Sequence, residues 1–85
     1  MEIKILTSGK EEMEFSIDNL TLAEILKVYL NKDSGVTFAA WKRGHPTEDP
    51  IVKVKTNGKT AQKAVKDALG AVTKDIDRVL SDFSK

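Results

Sequence analysis

The chain of 85 residues contains no cysteine, and this absence excludes several kinds of chemistry. Disulfides cannot supplement the core, and neither a thiolate metal site nor a cysteine nucleophile can form. A domain of this length buries only roughly 60–65% of its unfolded surface, so its core alone gives marginal stability. The absence of cysteine also fits a reducing compartment, and we expect a cytoplasmic protein.

The sequence also has little excess charge and few long apolar runs. Its 14 basic and 13 acidic residues give a net charge of +1, whereas a dedicated nucleic-acid binder normally has a basic excess. The longest unbroken apolar run, Phe38 to Trp41, is far shorter than the roughly 20 residues of a membrane span. Residues 1–6 alternate like a strand and lack the apolar core of a signal peptide. We therefore expect a soluble chain with no membrane partner and without direct contact to DNA or RNA.

Candidate catalytic residues are equally few. His45 is the only histidine, and it has no second ligand at a spacing typical of a metal site. It could act as a general base paired with Glu48 or Asp49, although a loop histidine beside Pro46 is the simpler interpretation. No glycine-rich phosphate loop occurs. The sequence therefore predicts no catalytic residue, no metal site and no cofactor.

Two short alternating segments at the amino terminus predict a β-hairpin. The first, Met1 to Thr7, should be half-buried through Met1, Ile3 and Ile5. The second, Glu12 to Ile17, should turn its odd-numbered apolar residues inward, and the Gly-containing segment between the two is typical of a turn.

A helix of about three turns is predicted from Leu20 to Asn31, and it carries more apolar surface than one core needs. Eight of the eleven residues from Leu20 to Leu30 are apolar, and they cover an arc of roughly 220°. A surface helix needs only about 100°. The excess predicts a partner chain, and the alternative is one small core with an unusually apolar helix. Asp18 or Asn19 should cap its start, and Gly35 should adopt positive φ after its end.

Two further strands and a long helix follow. Strands are predicted at Val36 to Trp41, whose faces are both largely apolar, and at Ile51 to Thr56. The last helix, from about Thr60 to Phe83, would be roughly 36 Å long, whereas a six-residue strand spans about 20 Å. Its carboxy-terminal half should therefore overhang the sheet and need a second chain, unless the helix bends or the sheet is wider. The apolar residues of this helix share one arc: Ala61, Ala64, Val65, Ala68, Leu69, Val72, Ile76, Val79, Leu80 and Phe83.

The element order β-β-α-β-β-α predicts an α+β fold, a two-layer sandwich. A mostly antiparallel four-stranded sheet would carry two helices on one face. Lys4, Lys53 and Lys55 would then lie on the open face. We expect residues 1–85 to form a single domain.

The segment FAAWKRGHP, residues 38–46, resembles a signature of RNA polymerase subunit L of archaea and its eukaryotic counterparts, Phe-Ala-Gly-Tyr-Arg-x-Pro-His-Pro. Phe38, Ala39, His45 and Pro46 match, and Gly44 stands where proline is usual. Ala40, Trp41 and Lys42 are mild replacements of the glycine, tyrosine and arginine of the signature.

The first helix also resembles that family. Thr21, Leu22 and Leu26 match an acidic-His-Thr-Leu-x-Asn-x-Leu-Arg pattern, whereas Leu20 and Glu24 depart from its histidine and asparagine. The start of the chain, its length, the element order and the long last helix agree as well. The resemblance therefore covers the whole chain, and it implies one RNA polymerase dimerisation-type domain.

The resemblance implies a small non-catalytic subunit of DNA-directed RNA polymerase. Such a subunit is similar to the dimerisation part of the bacterial α subunit. It forms a heterodimer through its helices with the larger polymerase subunit, designated D, and helps build the platform for the large catalytic subunits. The hypothesis divides the following residues between this chain's own sheet and the partner: Leu22, Ile25, Leu26, Tyr29, Leu30, Val72, Ile76, Val79 and Phe83. A loop in contact with other polymerase subunits would contain Trp41, Lys42, Arg43, His45 and Pro46.

Two alternatives belong to other classes. The first is a free-standing nucleic-acid-binding module that uses Trp41, Lys42 and Arg43 and whose binding depends on salt. The second, a small hydrolase built on His45, would require an activity that a His45→Ala change abolishes.

Overall fold

The computed structural model describes residues 2–83, which contain six elements. They are β1 (Ile3–Ser8), β2 (Glu12–Ile17), α1 (Leu20–Asn31), β3 (Val36–Lys42), β4 (Ile51–Thr56) and α2 (Ala61–Phe83). All strand pairs are antiparallel, and the strands lie in the order β1-β2-β4-β3. Both helices pack on one face of this sheet, which confirms the predicted fold.

The two central strands supply the floor of the core. Phe15 pairs with Val52 and Met13 with Val54, so these four side chains project to the same face, and all are buried. Ile17 is fully buried on that face as well. The predicted bounds and inward residues of β2 and β4 are confirmed, because strict alternation of apolar and polar residues determines which face is buried.

Helix α1 begins where the sequence predicts. The Asn19 side-chain oxygen accepts a hydrogen bond from the Leu22 backbone N–H at 3.0 Å, which satisfies one of the unpaired donors of the first turn. Leu26 and Leu30 are fully buried against the sheet. The buried residues of α1 therefore make up only part of its apolar arc, and the rest of the arc is not covered by the sheet.

The prediction for Gly35 was wrong. Within residues 2–83, positive φ occurs only at Gly58, in the turn between β4 and α2, where φ is 88°. Position 35 favours glycine for a different reason, because a Cβ there would lie 2.5 Å from Cδ of Lys59. Its backbone N–H donates to Oδ1 of Asp33 at 2.8 Å, so the turn after α1 is held by a side chain.

Strand β1 also differs from the prediction, because none of its residues is buried. Ile3 pairs with Ile17 and Ile5 with Phe15, so both isoleucines face the helix side, yet they are 39% and 59% exposed. The helices pack over the other three strands, and β1 lies at the edge of the sheet beyond them. A bulge at Leu6 shifts the register before Thr7. The predicted inward position of Met1 lies outside the described residues.

Strand β3 forms the opposite edge, and the chain buries only one of its faces. Ala39 is buried under the helices, whereas Phe38, on the other face, is 45% exposed. The expectation of burial on both sides is therefore not met within this chain. The lysines at positions 53 and 55 lie on the open face, as predicted, since they pair across the strands with Ala40 and Phe38.

Helix α2 starts at a cap formed by Thr60, whose hydroxyl accepts a hydrogen bond from the Lys63 backbone N–H at 3.1 Å. Its first three turns pack on the sheet, and its buried residues are Ala61, Ala64, Val65, Ala68 and Val72. Within residues 2–83, no helix has the length and hydropathy to cross a membrane.

Candidate functional site

The carboxy-terminal half of α2 presents an exposed apolar stripe. Ile76, Val79, Leu80 and Phe83 are 52%, 55%, 58% and 84% exposed, although they continue the helical face that Val72 and the preceding residues bury. Exposure therefore rises from the last buried residue to the end of the helix. The predicted overhang is present, and we call these four residues the overhang stripe.

Helix α1 contributes a second group beside its core face. Val28 is 52% exposed, and Ile25 and Tyr29 are half-buried. These residues are three and four positions apart, so they share one side of the helix. We call them the α1 flank.

The α1 flank and the overhang stripe lie toward the same end of the helix layer. Tyr29 donates a hydrogen bond to Asp75 at 2.6 Å, and Asp33 lies near Asp67 because Lys59 bonds both carboxylates. Position 29 thus lies beside position 75, and position 33 lies near position 67. Because the numbering rises in one segment as it falls in the other, the two helices are antiparallel. Residues that precede Tyr29 in α1 therefore lie toward the residues that follow Asp75 in α2.

The contact between Tyr29 and Asp75 is charge-assisted. The hydrogen bond from the phenol lowers the pKa of the Asp75 carboxyl, and Arg78, 3.3 Å away, lowers it further. The same hydrogen bond to the carboxylate raises the pKa of Tyr29, and partial burial adds to the rise. The Lys32 ammonium lies 5.1 Å from the centroid of the tyrosine ring. These contacts fix the orientation of Tyr29 at the start of the overhang.

The structure divides the nine predicted interface residues into three groups. Leu26, Leu30 and Val72 lie in the core of this chain and support the surface from beneath. Leu22, Ile25 and Tyr29 are half-buried, and Ile76, Val79 and Phe83 are exposed.

Two exposed residues beside this surface, Val28 and Leu80, were absent from the predicted interface set. A signal for both was present in the sequence, because Leu80 shares the arc of Ile76 and Val28 shares the arc of Ile25. Asp75 was also missed, since no local pattern indicates its contact with Tyr29.

The other predicted contact residues do not all lie in a loop, because Trp41 and Lys42 are the last two residues of β3 and only Arg43, His45 and Pro46 follow it. Lys42, Arg43, His45 and Pro46 are exposed, whereas Trp41 is half-buried and packs against the core. A ring fixed in this way is less available to stack on a base than the nucleic-acid alternative requires.

His45 takes part in a local turn. Its Nδ1 lies 2.8 Å from the Thr47 hydroxyl and accepts the Thr47 backbone N–H at 3.3 Å. Within residues 2–83, the hydrogen bonds of the His45 ring go to Thr47 and not to the side chains of Glu48 or Asp49. Residues 2–83 contain no group of three or more histidine and acidic side chains placed to hold a metal ion.

Comparisons with known proteins match the chain to RNA polymerase subunits and to a domain found in them. The family model described as the RNA polymerase Rpb3/Rpb11 dimerisation domain matches residues 10–82. A DNA-directed RNA polymerase subunit Rpo11 from Sulfurisphaera tokodaii is 39% identical over 88 aligned positions, which cover 100% of this chain and 88% of that protein. The subunit of the same name from Methanosarcina barkeri is 33% identical and covers 100% of this chain and 96% of its own length.

A solved structure has the same fold. The crystal structure of DNA-directed RNA polymerase subunit L from Thermoplasma acidophilum superposes with a TM-score of 0.87, at 22% identity, over 98% of this chain and 85% of that one.

Proposed function

The chain belongs to the RNA polymerase Rpb3/Rpb11 dimerisation domain family, and from this membership we propose that it is the small assembly subunit of a DNA-directed RNA polymerase, of the type called Rpo11 or subunit L. In this role it is a component of a nucleotidyltransferase complex and contributes no catalytic residue. Residues 1–85 form one dimerisation-type domain. The protein acts in the cytoplasm.

The partner in this proposal is the larger polymerase subunit designated D, called the larger subunit below, and the heterodimer forms the platform for the catalytic subunits. The observation that carries the proposal is the overhang stripe, because four large apolar side chains, each more than half exposed, extend beyond the core of the chain. Patches of this kind mark protein interaction sites.

Burial of the overhang stripe alone provides too little free energy for a stable heterodimer. Complete burial of a large apolar side chain is worth about 1.5–3 kcal/mol, so covering the exposed part of four contributes about 5 kcal/mol. Association costs about 4–15 kcal/mol in lost freedom of motion. A stable heterodimer therefore requires the α1 flank in the same interface.

The experiment is a titration of this chain with the larger subunit from the same organism, followed by light scattering on a sizing column. The wild-type chain should form a one-to-one complex. The triple variant Tyr29→Ala, Ile76→Ala, Phe83→Ala should bind about 100-fold more weakly or worse, because central apolar anchors dominate binding energy.

The matched control is the double variant Ile5→Ala, Phe38→Ala, which truncates exposed apolar residues of the two edge strands, outside the overhang stripe and the α1 flank. It should bind the larger subunit like the wild type, and circular dichroism should show that both variants are folded. Unchanged binding by the triple variant would overturn the assignment of the helices to this interface.

A further inference from the structure

The sheet face opposite the helices has a second surface with an apolar centre. Phe38, Ala40 and Ile51 lie on this face near the β3 edge, since they pair with Lys55, Lys53 and Lys42 respectively. With Trp41, they border a depression of about 220 Å³ that Lys42 and Lys53 also line. We call this surface the open-face patch. It lies on the side of the sheet that the proposed helical interface leaves unused.

Lysines surround the open-face patch. The ammonium of Lys55 lies 5.9 Å from the centroid of the Phe38 ring, and Lys42 stands exposed at the end of β3. Lys53 reaches Glu12 at 3.4 Å, so its charge is partly compensated. A partner suited to this arrangement places an apolar side chain in the depression and carboxylates beside Lys42 and Lys55.

Nucleic acid suits the patch less well than protein. Glu12 and Glu14 lie on the same face, directly across from Lys55 and Lys53, so the lysines do not form the uninterrupted basic track that a phosphate backbone needs. The centre of the patch is apolar, whereas a backbone-binding surface is a continuous basic groove. The local charge pattern therefore favours a short acidic and apolar segment of polypeptide.

Backbone pairing does not explain the patch. The Asn31 side chain donates a hydrogen bond to the Ala39 carbonyl at 3.3 Å, so this point of the β3 edge is already occupied. Recognition by side chains on the open face differs from the addition of a strand to a free edge.

We propose that the open-face patch binds a segment of a polymerase polypeptide other than the helix-side partner, with an apolar side chain inserted between Phe38 and Ile51 and acidic residues beside Lys42 and Lys55. This inference rests on the proposed function, because the partner belongs to the assembled polymerase. It concerns the opposite face of the molecule, so its failure is separable from failure of the helical interface.

The test uses polymerase reconstituted from purified subunits of the same organism, with template DNA present. One chain carries Phe38→p-benzoyl-phenylalanine, a photocrosslinking side chain, and a second carries the same substitution at Phe83. Position 83 should crosslink to the larger subunit. Position 38 should crosslink to a different polypeptide, within a segment that contains an apolar residue flanked by acidic residues.

Other crosslinking results overturn the inference. A crosslink from position 38 to DNA or RNA, to the same polypeptide as position 83, or to nothing while position 83 reacts, would each exclude a separate protein partner at the open-face patch. A reaction at neither position, with the chain outside the polymerase, would reject both proposals.

A charge-reversal variant tests whether Lys42 and Lys55 contribute to binding at the open-face patch. The double variant Lys42→Glu, Lys55→Glu should reduce the crosslink yield at position 38 by about tenfold at low salt, because it replaces attraction to the partner's carboxylates with repulsion between like charges. The matched control, Lys10→Glu with Lys74→Glu, changes the same charge away from the patch and should leave the yield unchanged. An equal yield in both variants would show that the lysines take no part in recognition.

Discussion

Lys59 is a single side chain that joins three parts of the molecule. Its ammonium lies 2.6 Å from Asp33, just after α1, and 3.0 Å from Asp67 on α2, while its stem passes over Gly35. These contacts tie the end of α1 to the start of α2. The bond from Lys59 lowers the pKa of Asp33, and the bond to Asp33 raises the pKa of Lys59, with Asp67 adding to the rise.

The pH dependence of stability follows from these directions. Because the pKa of Asp33 is lower in the folded chain, its contribution is present above the unfolded value of about 3.9 and is lost as the pH falls through the folded pKa. The raised pKa of Lys59 gives a contribution that is present below its unfolded value and is lost as the pH rises through the folded pKa.

We therefore expect Asp33→Asn to weaken the acid dependence of stability. Urea unfolding midpoints of the wild type should fall between about pH 5 and about pH 3, and the variant should show a smaller fall because it lacks this titrating group. Asp49→Asn, which removes a charge from an exposed loop, is the control and should keep the wild-type dependence. A variant curve parallel to the wild type would show that the ion pair does not couple to folding.

At the scale of elements, α2 contains a position that weakens it. Gly70 is exposed in the middle of the helix, and a Cβ there would meet no atom within 4 Å apart from its chain neighbours and the nearby backbone of its own helix. Gly70→Ala should therefore raise the free energy of unfolding by about 1 kcal/mol, the difference in helix propensity. Urea unfolding of the isolated chain measures it.

Gly58→Ala is the matched comparison for this change. Its φ of 88° disfavours any side chain, so the same substitution there should lower stability by about 1–2 kcal/mol. A loss of stability from Gly70→Ala would contradict the prediction and would indicate that the glycine relieves backbone strain in α2.

Elements with strong periodicity could be predicted from the sequence, whereas their surroundings could not. The bounds of β2, α1 and β4 follow from alternation and from the cap at Asn19. Alternation in β1 correctly placed Ile3 and Ile5 on one face, but it carries no information on whether a helix covers that face. The role of Gly35 depends on Lys59, which is distant in sequence, so no local rule could reveal it.

The proposed interface could likewise be predicted only in part. Comparing the length of α2 with that of a strand predicts the overhang, because helix rise and strand length are nearly constant. The separation of core from surface within α1 was not predictable, since Leu26 and Ile25 are equally apolar and differ only in the direction that the packed helix gives them. The contact of Tyr29 with Asp75 spans 46 residues and has no signature in either segment.

At the scale of the whole molecule, stability should depend on the partner. A partner that binds only the folded chain adds about 2.7 kcal/mol when its free concentration is about 100 times the dissociation constant. The unfolding temperature of this chain should therefore rise when the larger subunit is added. The triple variant at Tyr29, Ile76 and Phe83 should show no such rise over the same range, and differential scanning calorimetry makes the comparison.

The overhang stripe has a further consequence for the life of the protein in a cell. In the proposed heterodimer the partner covers this stripe, whereas a surplus copy displays it to chaperones and proteases, which act on exposed apolar segments. The same four side chains would thus report whether a copy has been assembled. Quality control could remove unassembled copies and keep the two subunits in balance without a dedicated degradation signal.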